Sequence, residues 1–212
     1  MRTGAVSTNW PRVQDRRRVS PGRTMENTLA LSCRPLIKGV RRSWQDETDA
    51  EFCLRPPFIE GVKLLADFGL PFDVCIRAEQ LPGVIALARR VPEVTFVLDH
   101  YGKPAIRHGK FEPWATDLET LAALPNVVCK LSGLTTEANC ENWRPDDLKP
   151  YLERVLQCFG FNRVLFGSDW PVATLATSFA GWLGVVQDAT SFASHGDRLK
   201  LFRTNAEMIY RV

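Results

Sequence analysis

The sequence predicts an α/β domain in which strand–helix units build a parallel sheet. Short apolar runs alternate with stretches of helical periodicity, and successive runs lie roughly 20 to 36 residues apart. The chain has 212 residues, of which 45% are hydrophobic, enough to bury one core and little more. Because strand–helix–strand connections are right-handed, we expect the helices to cover the outer face of the sheet.

Five strands are predicted from short apolar runs that end at glycine or polar residues. They are residues 36–40, 72–76, 94–98, 127–131 and 164–166. The first four have mixed composition, whereas the last is apolar throughout, as a strand buried on both faces is. A closed eight-stranded barrel would need three further strands.

Four helices are predicted between these strands, because apolar residues recur there three or four positions apart. They cover residues 58–68, 81–88, 114–124 and 148–159, and two more patterns, 179–186 and 199–210, follow the last strand. Gly69 and Gly160 are placed to end the first and fourth helices, and Pro113 suits the first turn of the third.

Residues 1–23 differ from the rest of the chain. They contain six arginines against one acid, Asp15, so the net charge of +3 originates here. We expect a disordered leader over 1–23 and a folded domain over 24–212. A transit peptide and an upstream sequence joined to a truncated gene are the alternatives. The near-neutral remainder predicts no nucleic-acid partner, and the leader lacks the interleaved aromatic residues of an RNA-binding segment.

The cysteines indicate a reducing compartment. None of the six forms a C-x-x-C pair and no secretory signal precedes them, so we expect free thiols and a cytoplasmic location. Cys75 and Cys129 lie inside predicted strands, where a thiol packs as a small hydrophobe. No apolar run approaches the ~20 residues that a bilayer span needs, so no membrane contact is expected.

Polar residues follow each predicted strand. They are Arg41 and Arg42, then Arg77, then Asp99, His100 and Lys103, then Ser132, and finally Asp169. The carboxyl ends of parallel strands share one edge, so these side chains should meet at one mouth. Singly, Asp169 could equally be a helix cap and His100 a structural histidine. Together they suit acid–base chemistry at the carbonyl of an oxygen-rich or anionic substrate.

Several strings of residues resemble a known family in order and spacing. They are IKGVRRSWQDE (37–47), FCLRP (52–56), FVLDHYGKP (96–104), EPWATDLETLAALPNVVCKLSGLTTEA (112–138) and VLFGSDWPV (164–172). Over residues 24–212 the chain resembles the amidohydrolase-related family of TIM-barrel hydrolases, which includes L-fuconolactonase and L-rhamnonolactonase. The resemblance implies a (β/α)8 TIM barrel that opens a lactone, usually a sugar acid lactone, with water.

The resemblance also implies roles for individual residues. Asp169 matches the aspartate that handles the proton of the attacking water. His100 matches a histidine that polarises the carbonyl or lies near a metal. Arg77 and Lys103 match positions around the substrate, and Arg41 and Trp170 complete our predicted substrate-binding set.

Two departures from the family pattern change the prediction. The family carries a His-x-His pair on its first strand, whereas this chain has only three histidines and no such pair, and strands one to three have no counterpart. Zinc needs at least three protein ligands, so His100 and Asp169 alone predict no tightly held metal here, although complete relatives can use zinc.

The sequence therefore predicts an incomplete barrel of about five carboxyl-terminal βα units. Its open edges and apolar interior would be an aggregation hazard. The leading expectation is lactone hydrolysis. The alternative is an inactive fragment that folds only by pairing its edges with another chain, for instance as a homo-oligomer.

Overall fold

The computed structural model describes residues 37–49 and 51–212. Within them five parallel strands form one sheet in the order of the sequence. The strands are β1 (Val40–Ser43), β2 (Phe72–Cys75), β3 (Phe96–Leu98), β4 (Val127–Leu131) and β5 (Val164–Phe166). The predicted α/β class and parallel sheet are confirmed. The leader over 1–23 lies outside the described residues and stays a prediction.

Helices connect the strands and follow the last one. They are α1 (Pro56–Asp67), α2 (Leu81–Arg90), α3 (Trp114–Ala122), α4 (Leu134–Glu137), α5 (Pro145–Phe159), α6 (Phe179–Ala189), α7 (His195–Leu199) and α8 (Asn205–Tyr210). A π-helical segment, Lys200–Thr204, joins α7 to α8. In the described ranges no helix has both the length and the apolar character that crossing a membrane requires.

The first strand corrects the prediction. It occupies Val40–Ser43 rather than 36–40, and the start of the predicted run lies outside the described residues. Its register is set by β2, because Val40 pairs with Phe72 and Ser43 with Cys75. The local sequence concealed this strand because it has one apolar residue, Val40, followed by two arginines and a serine. Arg41 is therefore part of a strand and does not follow one.

The two faces of the sheet have different partners. Phe72 and Phe96 lie on the outer face, and the Phe72 ring packs 6.1 Å from that of Phe58 on α1. The opposite, inner face carries the apolar cluster Val97, Val128 and Leu165. Helix α8 packs on this cluster through Ala206, Ile209 and Tyr210. The inner face is thus partly covered, and the wholly open interior expected from the sequence is not observed.

Polar contacts also hold α8 against the inner face. The Tyr210 hydroxyl donates to both carboxylate oxygens of Asp73 on β2, at 2.9 and 2.8 Å. Lys130 on β4 places its Nζ 2.8 Å from Asp73 Oδ2. Burial raises the pKa of Asp73, and the charge of Lys130 opposes that rise. These contacts join β2, β4 and α8 beneath the carboxyl edge of the sheet.

Tyr210→Phe tests this link. The change removes a hydroxyl from a buried carboxylate, so we expect the free energy of unfolding to fall by about 1–3 kcal/mol in urea denaturation. Tyr151→Phe is the matched control, because its hydroxyl donates one longer bond, 3.3 Å, to the Lys110 carbonyl. Equal losses in the two variants would show that the Asp73 contact does not hold α8 in place.

Candidate active site

Loops after β3 and β5 position the predicted catalytic residues. The backbone is left-handed at His100 (φ 55°), Lys103 (φ 50°) and Asp169 (φ 56°). This conformation costs roughly 1–2 kcal/mol for a residue with a Cβ, so surrounding contacts must hold each loop. Strained backbone of this kind clusters at functional sites.

His100 and Asp169 face each other at the carboxyl edge of the sheet. The distance from His100 Nε2 to Asp169 Oδ1 is 3.6 Å, and only 7% and 13% of the two side chains are exposed. The loop after β4 supplies Gly133, which lies against both. A Cβ there would stand 2.7 Å from Asp169 Oδ2 and 2.8 Å from His100 Nδ1. Glycine is therefore required for the two side chains to meet.

The helix-cap alternative for Asp169 is not what the structure shows. Ser178 caps α6, since its Oγ accepts a hydrogen bond of 3.0 Å from the Gly181 amide. The Asp169 carboxylate instead lies beside His100, so it is free for chemistry at the mouth.

The surroundings of His100 keep its imidazole neutral. Burial is the largest cause and, with nearby positive charges, lowers the pKa of His100 to about 4, although the Asp169 carboxylate acts in the opposite direction. The positive charges belong to Arg41, Lys103 and Lys130. At neutral pH His100 therefore forms no salt bridge with Asp169.

Hydrogen-bond partners define which ring nitrogen of His100 carries the proton. Arg41 Nη2 lies 3.3 Å from Nε2, and a guanidinium can only donate, so Nε2 is the acceptor. The proton then lies on Nδ1, which donates to Ser132 Oγ at 2.8 Å. In this tautomer the Nε2 lone pair accepts from Arg41, and Nε2 has no proton with which to polarise a carbonyl.

Asp99 lies buried between two cations. Its Oδ2 is 2.9 Å from Arg41 Nε and its Oδ1 is 2.7 Å from Lys130 Nζ, while only 1% of its side chain is exposed. Neither contact has the angles that a hydrogen bond requires, so both are ion pairs held by charge alone. Both oxygens are engaged, which leaves Asp99 unsuited to act as a base.

Lys103 has two polar neighbours that the sequence did not indicate as functional. Its Nζ donates to Gln45 Oε1 at 2.7 Å and lies 3.7 Å from Glu137 Oε1. Burial raises the pKa of Glu137, whereas the charges of Lys103 and Arg77 lower it. Glu137 follows the fourth strand by six residues on α4, and its distance in sequence from that strand end concealed it.

Arg77 and Trp170 are farther from the pair. Arg77 Nε donates to the Gln45 carbonyl at 3.2 Å and its side chain is 57% exposed. Trp170 is 72% exposed, and two apolar residues that follow it in the chain, Val172 and Leu175, are exposed as well. The structure thus gathers Arg41, His100, Lys103 and Asp169 of the predicted set, and leaves the other two at the periphery.

Three buried side chains resemble a metal site by type. One donor atom each from Cys75, Asp99 and His100 lie within 4.8 Å of one another. The set does not fit a divalent ion, however, because Arg41 contacts both Asp99 and His100, and Lys130 holds the other oxygen of Asp99. Two fixed positive charges would repel a third cation at the same donors.

Comparisons with known proteins agree with the fold. The chain is 36% identical over 189 residues to the L-fucono-1,5-lactonase of Burkholderia ambifaria, which covers 86% of this chain and 64% of that protein. It is 38% identical over 185 residues to the L-fucono-1,5-lactonase of Burkholderia multivorans, covering 82% and 62% respectively. The chain therefore spans less than two thirds of the length of these relatives.

Solved structures give the same result. A crystal structure of an amidohydrolase from Burkholderia multivorans with bound HEPES superimposes with a TM-score of 0.79 and 36% sequence identity, covering 82% of this chain and 65% of that one. A second crystal form of an amidohydrolase from that organism contains zinc and gives a TM-score of 0.78, with 36% identity, 82% of this chain and 64% of that one. The family model described as Amidohydrolase matches residues 13–212. The chain belongs to the amidohydrolase family.

Proposed function

We propose that this chain carries the hydrolytic site of a lactonase, which opens a sugar acid lactone such as L-fuconolactone or L-rhamnonolactone with water. The observation that carries the proposal is the Asp169–His100 pair, which faces the mouth at the carboxyl edge of the sheet. Sequence similarity supports the proposal as well, because the chain is 36% and 38% identical to two L-fucono-1,5-lactonases.

The five strands are proposed to be the last five of a (β/α)8 TIM barrel. Their consecutive parallel order supports this assignment, as does the 65% of a related amidohydrolase that the chain covers. No finding favours the alternative of an inactive fragment that needs a partner chain. A homo-oligomer also stays a prediction.

In the proposed reaction Asp169 takes a proton from the water that attacks the ester carbonyl. It then returns the proton to the ring oxygen as the carbon–oxygen bond breaks. The negative charge that develops on the carbonyl oxygen needs a positive neighbour, which Lys103 and Arg41 supply at the mouth. His100 acts through Arg41, whose guanidinium it holds through Nε2, and so it is a positioning residue.

The remaining predicted residues are proposed to bind the sugar. Lys103, Gln45 and Glu137 place donors and acceptors together, as recognition of hydroxyl groups requires. Arg77 contacts Gln45 of this group, and the exposed Trp170 follows Asp169 in the chain, where an aromatic face suits the apolar side of a sugar ring.

The compartment is proposed to be the cytoplasm. The described cysteines carry free thiols, as a reducing environment requires, and they are Cys53, Cys75, Cys129, Cys140 and Cys158.

Asp169→Asn tests the proton-transfer role. The amide keeps the shape of the carboxylate but cannot accept the proton, so we expect kcat for L-fuconolactone to fall on the order of 10²–10⁴-fold, with Tm little changed. Proton release measured with a pH indicator, corrected for spontaneous hydrolysis, follows the reaction. Asp188→Asn, at an exposed position on α6, is the control. A folded wild-type chain without activity would instead favour the fragment alternative.

The neutral state of His100 makes stability depend on pH. Its pKa of about 4 in the folded chain lies below the value of about 6.5 in an unfolded chain. The unfolded chain therefore binds the proton more readily between these values. The stabilising contribution is complete above pH 6.5 and is lost as pH falls toward 4, by about 3 kcal/mol.

His100→Asn tests this pH dependence. We expect urea denaturation between pH 4 and 7 to give the variant a flatter rise of unfolding free energy than the wild type shows. His108→Asn, at an exposed position, should retain the wild-type slope. An unchanged slope in His100→Asn would mean that the imidazole is not held neutral.

A further inference from the structure

The Arg41 guanidinium lies among donors that would otherwise suit a metal ion. Its Nε is 2.9 Å from Asp99 Oδ2, and its Nη2 is 3.3 Å from His100 Nε2. Cys75 supplies the third donor, and its Sγ lies 3.7 Å from Gln45 Oε1. Arg41 therefore contacts two of the three side chains whose donor atoms lie within 4.8 Å of one another.

The topology explains why these groups meet. Arg41 is paired with Asp73 in the sheet, so it lies on the inner face. Cys75 is two residues beyond Asp73 on the same face, and Asp99 follows β3 on that face too. A side chain from the edge strand β1 thus reaches the ends of β2 and β3.

Arg41 keeps its charge and its access to the mouth. Burial is the largest single cause and opposes that charge, but the neighbouring groups together, Asp99 foremost, outweigh it and the pKa of Arg41 is raised. About half of the side chain, 52%, is exposed, whereas Asp99 and His100 are buried. The buried Asp99 and His100 can therefore hold the guanidinium while its exposed part contacts a ligand in the mouth.

We propose that the Arg41 guanidinium takes the place of a divalent cation in this chain. It closes a latent metal site formed by Cys75, Asp99 and His100, and it is the fixed positive charge that polarises the lactone carbonyl. The catalytic part rests on the proposed function, whereas the latent metal site does not. The hydrolysis requires only water and lactone: the water oxygen bonds to the carbonyl carbon, the ring carbon–oxygen bond breaks, and Asp169 carries the proton between them.

Cobalt binding tests the latent site without any assay of activity. The full chain is titrated with Co²⁺, and a thiolate-to-cobalt charge-transfer band in the near ultraviolet reports coordination by Cys75. We expect no band for the wild type. Arg41→Ala should bind one equivalent of Co²⁺ with the band, and the double variant Arg41→Ala/Cys75→Ser should lose it.

Arg42→Ala is the matched control. It removes the neighbouring cation on β1, which pairs with Glu47 and not with the three donors. It should behave as the wild type does. If circular dichroism shows that Arg41→Ala does not fold, Arg41→Leu, which restores apolar side-chain bulk and adds no metal-ligating atom, is titrated in its place. One equivalent of Co²⁺ on the wild type with the band, or no Co²⁺ on a folded Arg41 variant, would overturn the proposal.

Activity provides the second arm. Wild-type hydrolysis should survive dialysis against a chelator unchanged. Arg41→Ala should lower kcat on the order of 10²–10³-fold, the usual effect of removing one charge-stabilising donor, and added guanidinium ion should restore part of the rate. Loss of wild-type activity on chelation, with recovery on adding zinc, would contradict the proposal. If the wild type opens no lactone, the proposed function is refuted. The latent metal site is then decided by the cobalt titration alone.

Discussion

The buried Asp99 carboxylate is the interaction on which the rest of the site depends. It forms ion pairs with Arg41 on one side and Lys130 on the other; Lys130 also pairs with Asp73, which accepts from the Tyr210 hydroxyl. Buried ion pairs recover little more than their desolvation cost, but losing one member leaves an uncompensated charge that costs several kcal/mol. The network therefore acts as a constraint on position: it joins β1, β2, β3, β4 and α8 in a single arrangement.

That arrangement determines the electrostatics of the mouth. Burial, together with the charges of Arg41, Lys103 and Lys130, keeps the His100 ring neutral despite Asp169 beside it. A neutral ring can accept a hydrogen bond from Arg41, and so the guanidinium is fixed rather than repelled. The proposed roles follow from this arrangement, with Asp169 transferring protons and Arg41 supplying positive charge.

The sequence predicted the buried parts of this fold better than its charged parts. The bounds of β4 and β5 were predicted correctly, because each is an apolar run closed by a polar residue or glycine. Strand β1 was misplaced because Arg41 points to the inner face of the sheet. A charged residue at an inward position removes the apolar pattern by which a strand is recognised, so the segment resembles a loop. Lys130 and Asp73 were overlooked inside predicted strands, although a charge in a strand buried on both faces indicates a group that faces the interior. The proximity of Cys75 to His100 depends on register between strands, which one sequence cannot reveal.

The covered inner face bears on how the five-stranded sheet is kept from aggregating. A sheet with apolar inner residues and two open edges should aggregate unless something packs against it. Here the amphipathic end of the chain does so, with Ile209 on Val97 and its neighbours and Tyr210 on Asp73. An apolar surface alone would allow α8 to slide, whereas the directional bonds from Tyr210 to a buried carboxylate permit one position. The charges that organise the mouth thus also fix the helix beneath it, so substitutions at Asp73 or Lys130 should affect stability and the site together.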